Sequence, residues 1–301
     1  MLISVWLRII RIKFLLASVI GITVGILFSF YSFQEFNLLS AILTYIGVIF
    51  LHASVDILND YWDYKRGIDN ITKRTKYSGG TGVLPEKKLT PQQVYRAGFL
   101  CMFLGLAIGI YFVIQNGIII GIILVIAIVS IYFYSTKVVN IGMGEILVGL
   151  KGAMIVIGAS YVQSGIIDGS IILLGVIIGM LSSLVLFVAS FPDHDADKEK
   201  GRKTLVIILG KRKASIIFPY ILGTIYVITI IGIIISDIPS YAFLVLIAIP
   251  FAIRSVYSLK DNYDNIDSTV NSISNTIMFS RVFGACLCVS YALGIYLELI
   301  R

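Results

Sequence analysis

Charge is what this chain has least of. Only 14% of its 301 residues are Asp, Glu, Lys or Arg, while 58% are hydrophobic; soluble globular domains carry about 25% charged residues. That shortage excludes an ordinary water-soluble domain, and the apolar residues fall in blocks of about 20, the length that spans a bilayer. Histidine is nearly missing, and the three cysteines, Cys101, Cys286 and Cys288, all lie in apolar runs. An odd set of this kind offers no disulfide framework, and no His/Cys metal cluster is present. No phosphate-cradling glycine loop occurs either. The first apolar run lacks a small-residue cleavage site and reads as a span, not as a leader. The formal net charge of +7 suggests loops held at a cytoplasmic face, with no nucleic-acid partner.

What is there is a series of apolar runs, which predicts an all-α polytopic membrane protein. Nine spans are expected, at about 13–32, 40–58, 92–114, 117–135, 141–163, 170–190, 214–236, 239–257 and 276–297. Thr90-Pro91-Gln92-Gln93 has the form of an N-cap, a first-turn proline and a capping-box glutamine. Pro239 suits the start of the eighth span. The residues from Ser258 to Thr276, with Asp261, Asp264 and Asp267, read as a solvated loop.

Lys and Arg alternate between loops. Arg8, Arg11 and Lys13 precede the first span. Lys65, Arg66, Lys73, Arg74, Lys76, Lys87 and Lys88 follow the second. Lys137 follows the fourth, a second basic cluster from Lys198 to Lys213 follows the sixth, and Lys260 follows the eighth. The loops near Glu35, Asn116, Asp168 and Asp237 have none. The positive-inside rule then predicts a multi-pass protein of the cell membrane, with a cytoplasmic N-terminus and an external C-terminus.

Two acidic stretches stand where apolar runs end. Asn59-Asp60-Tyr61-Trp62-Asp63 follows the run Ala41 to Leu58, and Asp193-His194-Asp195-Ala196-Asp197 follows the sixth run. Both belong on the predicted cytoplasmic side. Asp60 and Asp193 are separated by four spans, which suggests two four-helix halves, about 1–135 and 141–257, and a ninth helix, in one membrane domain of residues 1–301. A parallel repeat of this sort places a site between its halves. If the helices continue through the motifs, Asn59 and Asp63, Asp60 and Asp63, and Asp193 and Asp197 share faces. Converging oxygens of this kind suit Mg²⁺, which is held by one or two carboxylates plus substrate phosphates. The expected ligands are Asn59, Asp60, Asp63, Asp193 and Asp197, and the four aspartates are the expected catalytic residues. Lys65, Arg66, Lys198 and Lys203 from the basic loops are candidates to neutralise a diphosphate.

These motifs, with Asp69, Gly201 and Thr204-Leu205 beyond them, resemble the UbiA superfamily of intramembrane prenyltransferases over most of the chain. Ser78-Gly79-Gly80-Thr81-Gly82-Val83-Leu84, Gly144-Glu145 and Tyr161-Val162-Gln163-Ser164-Gly165 look most like its MenA branch, which prenylates 1,4-dihydroxy-2-naphthoate. The resemblance implies nine helices around a central cavity, Mg²⁺ bridging the acids to a prenyl diphosphate, and an acceptor ring that attacks the allylic carbon with release of pyrophosphate. It also implies a Tyr and a Lys near the diphosphate, here Tyr134 and Lys137; Lys137 alone reads equally as a topological lysine. The chain departs from the pattern at Tyr64, where many members have Arg. It departs again at Gly67, which moves the third aspartate to 69, and at Gly82, where some MenA-like members have Arg. Acceptors of the 4-hydroxybenzoate type and glycerol-phosphate lipids are the alternatives within the family.

Three further groups lie inside spans. Asp56 and His52 sit one and two turns deeper than Asp60, and Lys151 lies about 13 Å into the fifth span. Ionisable groups at membrane depth are functional candidates. Asp56, Asp69 and Lys151 are therefore acceptor or cavity candidates. Lys151 has two readings, an ion pair with Asp56 or Glu145, which is preferred, or a contact with an acceptor carboxylate. His52 has the bland reading of an imidazole bonded to neighbouring backbone. A secondary transporter would also use a repeat and intramembrane Asp and Lys, but its site belongs near the midplane on interrupted helices. Here the acids cluster at one border.

Overall fold

Several helices in this chain begin where short polar side chains hold the first free N–H groups. The computed structural model describes residues 2–300 apart from Asn70, Ser135, Ser236 and Asp261. Asn37 accepts from Ser40 N at 2.9 Å, Asp168 from Ile171 N at 2.9 Å and Thr90 from Gln93 N at 3.3 Å. Gln93 returns the bond to Thr90 N at 2.8 Å, completing the capping box that the sequence predicts. The elements are α1 (Leu2–Ile9), α2 (Ile12–Phe33), α3 (Leu38–Lys65), α4 (Pro91–Asn116), α5 (Ile118–Phe133), α6 (Gly144–Ser164), α7 (Gly169–Glu199), α8 (Leu205–Leu209), α9 (Lys211–Ile234), α10 (Ile249–Lys260) and α11 (Ile266–Ile300). A 3₁₀ stretch, Ser240–Ala248, leads into α10. Pro250 falls in the first turn of α10, where a missing N–H costs nothing. No strand occurs among the described residues.

Among the described residues, eight helices are long and apolar enough to cross a membrane, counting Ser240–Lys260 as one. The expected fourth span is the shorter α5, 16 residues long, or about 24 Å. Two helices outrun their apolar stretches. α3 continues through the first acidic motif to Lys65, and α7 continues through Pro192 and the second motif to Glu199. Pro192 forfeits the bond to the carbonyl of residue 188. The expected solvated loop from 258 to 276 is largely helix instead. Its hydroxyls satisfy one another between α10 and α11: Ser255 Oγ is 2.5 Å from Thr276 Oγ1, and Ser272 Oγ donates to Ser255 O at 2.9 Å. Asp267 lies in the first turn of α11, where a carboxylate favours the helix dipole. Asp261 lies outside the described residues.

α6 packs along α7, α3 along α4, and α2 along α6; α11 meets α2, α7 and the 240–260 segment. Small residues set the closest approach. A Cβ on Gly152 of α6 would stand 3.0 Å from the Cα of Gly179 on α7, so these backbones touch because neither carries a side chain. The outer faces are apolar, with Phe103, Ile114 and Ile118 between 65% and 75% exposed, as lipid contact requires. Both acidic motifs lie at the same end of the bundle.

Candidate active site

The polar ends of α3 and α7 close on a chamber of about 790 Å³. Asn59 and Asp63 reach it from α3, and Asp193 and Asp197 from α7. The turn after α7 supplies Arg202 and Lys203, the loop after α3 supplies Asp69, and Arg11 enters from the start of α2. Asn59 Nδ2 donates to Asp63 Oδ2 at 3.1 Å. The Arg202 guanidinium pairs with Asp63 and, at 3.2 Å, with Asp197, so one side chain ties the two motifs together. Burial alone would lower its pKa, but these two carboxylates outweigh it and hold the guanidinium charged.

The loop after α3 folds over the chamber. Gly79 N donates to Asp193 Oδ2 at 3.1 Å, and Thr81 donates to Asp60 from its N at 3.0 Å and its Oγ1 at 2.7 Å. Gly80 has φ +71°, and a Cβ there would run into the Asp69 carboxylate, so only glycine passes. Beneath it Asp69 is 5% exposed. Burial pushes its carboxyl up to about 8, Asp60 and Asp63 reinforce the rise, and Arg11 and Arg202 oppose it. At the outer edge Glu86 joins Arg8, Arg74 and Lys88 at 2.7, 2.5 and 2.7 Å, which pins α1 to the loop. Hydrogen bonds from Arg8, Lys88 and Arg74 hold the Glu86 carboxyl well below the usual range. The guanidiniums of Arg74 and Arg8 lie against Gly82, the position at which some MenA-like sequences have arginine.

Not every expected residue comes to the chamber. Asp60 is fully buried, its oxygens taken by Thr81 and, at 3.5 Å, by Arg11. It does not line the chamber. An α-helix turns about 100° per residue, so residues 59 and 63 share one face and 60 looks to the side. Lys65 lies 5.9 Å over the Tyr61 ring and Lys137 4.6 Å over the Phe133 ring. Both are exposed, as is Lys198, and none of the three lines the chamber. Arg66 donates instead to Asn140 Oδ1 at 2.8 Å and Lys200 O at 3.2 Å. Lys203 and Tyr134 do line it. Arg11 and Arg202 carry the site's geometry although the sequence marks them only as positive-inside residues, and Thr81 does so from within the motif of residues 78–84, which gives it no role of its own. The one sequence signal for Arg202 is its place five residues after Asp197, just past the helix end.

Three carboxylate oxygens of residues that line the chamber, Asp69 Oδ2, Glu145 Oε2 and Asp193 Oδ1, are buried without a hydrogen-bond partner. Each such group costs free energy unless something meets it. With Asn59, Asp63 and Asp197 they make an all-oxygen donor set, which fits Mg²⁺. Among the described residues no three acidic, His or Cys side chains already form a closed metal cage. Mg²⁺ does not require one, since it keeps waters and takes phosphate oxygens.

Two further voids adjoin the chamber. One, about 1140 Å³, lies among α3, α4, α5 and α6 and is walled by residues such as Leu51, Ile108, Leu124 and Ile155. Its few polar groups include His52, Tyr134 and Lys151. The other lies between α2, α3, α6, α7 and α11, and it holds Asp56 and Lys151 with Arg11, Lys13 and Arg281. Tyr134 lines all three voids. The preferred ion pair of Lys151 is not formed: Glu145 accepts from Leu205 N at 2.9 Å, and Asp56 faces His52 at 3.7 Å. His52 is bonded to the Ser18 side chain at 2.6 Å, not to backbone.

Comparison with known proteins agrees with this architecture. The profile described as the UbiA prenyltransferase family matches residues 18–279. The 1,4-dihydroxy-2-naphthoate octaprenyltransferase of Bacillus subtilis (strain 168) is 21% identical over 287 residues, covering 94% of this chain and 90% of that protein. Among solved structures, the apo UbiA homolog from Aeropyrum pernix K1 has a TM-score of 0.68 at 16% identity, over 96% of this chain and 99% of that one. A UbiA homolog from Archaeoglobus fulgidus bound to DMAPP and Mg²⁺ gives 0.57 at 16% identity, with the same coverage. At these identities the structural likeness shows a shared fold.

Proposed function

The chain belongs to the UbiA prenyltransferase family and is an enzyme that transfers prenyl groups; on that premise we propose that it moves the prenyl group of a prenyl diphosphate, with Mg²⁺, onto a 1,4-dihydroxy-2-naphthoate-like ring. The observation that carries the reading is the chamber's charge set beside an apolar void. Asp63, Asp193, Asp197 and Glu145 line the chamber, beside an Asp69 that keeps its proton up to about 8, against only Arg11, Arg202 and Lys203. An anionic diphosphate needs more positive charge than these three supply. Asn59, Asp63, Asp193 and Asp197 would hold Mg²⁺, and Asp69 stands ready below Gly80. When bound, Mg²⁺ supplies the charge that stabilises pyrophosphate as it leaves.

The chain's own residues do the rest. Arg202 and Lys203 present cations to the departing phosphate oxygens. Asp60 holds Thr81, and through it the loop that brings Gly79 to Asp193. The void walled by Leu51, Ile108, Leu124 and Ile155 takes the tail and keeps water from the allylic carbon. The acceptor occupies the central void, the one between α2, α3, α6, α7 and α11, and attacks that carbon near Tyr134. A ring-carbon bond replaces the allylic carbon–oxygen bond, and the displaced ring proton leaves with pyrophosphate, restoring the aromatic ring. The aromatic acceptor is supported by the Bacillus subtilis relative and by the motif of residues 78–84.

The test is purified enzyme with a prenyl diphosphate and 1,4-dihydroxy-2-naphthoate. Pyrophosphate release should require both the ring and Mg²⁺ and cease with EDTA, and mass spectrometry should find the prenylated ring. Release that persists without a divalent cation would reject the metal reading. Prenylation of another acceptor class with the naphthoate untouched would reject the acceptor.

A further inference from the structure

We propose that Lys151 and the Ser18–His52–Asp56 chain beside it form the recognition site for an acidic, hydroxyl-bearing acceptor ring, with Lys151 taking the carboxylate and Asp56 the hydroxyl proton in a hydrogen bond. The inference rests on the prenyl-transfer reading and adds which side chains select the acceptor.

Lys151 projects from α6 into both the apolar void and the central void. Among the described residues it makes no hydrogen bond and no ion pair. An ammonium at membrane depth is retained against its burial cost when something functional meets it, and a structural lysine would have a carboxylate within ion-pair distance. Asp56 faces the same central void from α3. Its Oδ2 has no hydrogen-bond partner, because His52 Nε2 stands at 3.7 Å, beyond hydrogen-bond reach. The imidazole cannot simply turn to close that gap, since its Nδ1 is held by Ser18 Oγ at 2.6 Å. An unspent cation and an unspent acceptor oxygen thus line one void, and the wall between them is apolar: Val55, Val148, Ile155 and Ile178. A hydroxylated aromatic acid offers the matching set, an anion, an O–H donor and a flat apolar face. A glycerol-phosphate lipid offers an anion and a hydroxyl but no flat face for the apolar wall. The void is also lined by Arg11, Lys13 and Arg281, with Arg281 Nη2 donating to Lys13 O at 2.5 Å. Arg281 is engaged there, so it serves as the control.

The experiment compares acceptors that differ only in the carboxylate: 1,4-dihydroxy-2-naphthoate with 1,4-dihydroxynaphthalene, and 4-hydroxybenzoate with phenol. Wild-type enzyme should prefer the acidic member of a pair. Lys151→Met should raise the KM of that member roughly tenfold or more, the worth of a charged hydrogen bond, and erase the preference. The KM of the prenyl diphosphate should not move, and thermal unfolding in the same detergent should not fall. Lys151→Arg should restore part of the preference, and Arg281→Met should keep it. Should Lys151→Met fail to fold, Lys151→Gln reads the same preference. A Lys151→Met enzyme that still prefers the acid overturns the site, as does a preference that vanishes with Arg281→Met or a wild type that uses neither pair. Activity on 4-hydroxybenzoate alone, dependent on Lys151, keeps this site and rejects only the naphthoate reading.

Discussion

On α3, Asp60 has given both carboxylate oxygens to Thr81, while one turn on Asp63 faces the chamber. On α7, Asp193 takes one bond from Gly79 and keeps its other oxygen bare, and Asp195 points outward with an 83% exposed side chain paired to His194 and Lys211. The two motifs have similar composition and similar places at helix ends, yet they distribute their acids differently. The first spends an aspartate on holding a loop. The second sends its extra aspartate to water. Which carboxylate is open to a ligand is decided by the helix angle and by what the neighbouring loop has already bonded.

The comparison can be broken most directly at the open carboxylates. Asp63→Ala and Asp193→Ala should each lower turnover by about 10²–10³-fold or more, with helical content by circular dichroism retained. Near-wild-type rates in either would remove the chamber from the chemistry. Asp60→Ala should act through the fold. It strands the Thr81 N–H and Arg11, so stability should fall by about 1–3 kcal/mol, while the Mg²⁺ concentration for half-maximal rate stays put. A large rise in that concentration would make Asp60 a ligand after all.

Asp69 sharpens the contrast through pH. Its folded value of about 8 lies above an unfolded value near 3.9, so the folded protein keeps a proton that the unfolded chain releases. Unfolding free energy should therefore decline as pH rises from about 4 to about 8. Thermal unfolding of Asp69→Asn across that window should show a flatter profile than wild type, and an unchanged slope would place the titration elsewhere. Asp195→Ala should be the mildest change, within about 0.5 kcal/mol in stability and close to wild-type rate. A loss matching that of Asp193→Ala would refute the facial assignment. Topology should show as no effect at all. With Cys101, Cys286 and Cys288 replaced, Lys76→Cys should resist an impermeant thiol reagent in intact cells and react once they are opened.

Much of the fold was legible because bilayer spans are written in composition. The runs that became α2, α4, α6 and α9 needed only length and apolarity, and Thr90 with Gln93 marked the start of α4. The first turns of α11 were not legible, since Ser272 and Thr276 look solvated until Ser255 is placed opposite them. The site divided the same way. Asp63, Asp193 and Asp197 stand in recognisable spacing. Arg11 reaches the chamber from a different helix, and Arg202 crosses from one motif to the other, so neither has a local pattern. Lys65 and Lys198 stand out in sequence only by charge and proximity to the motifs, and Lys137 only by the family resemblance. The direction of each side chain depends on the neighbouring ring or solvent, which only packing reveals.

Tyr134 stands where a polar chamber, an apolar void and a mixed void meet. On the proposed reaction the products part at that crossing. Pyrophosphate leaves by the chamber, and the enlarged hydrophobic product stays on the apolar side and passes to lipid. The consequence is kinetic. Added pyrophosphate should compete with the prenyl diphosphate, and prenylated ring should compete with both substrates, because only it occupies both of the other voids. Departure of the water-soluble product then has no need to wait for the lipid-soluble one.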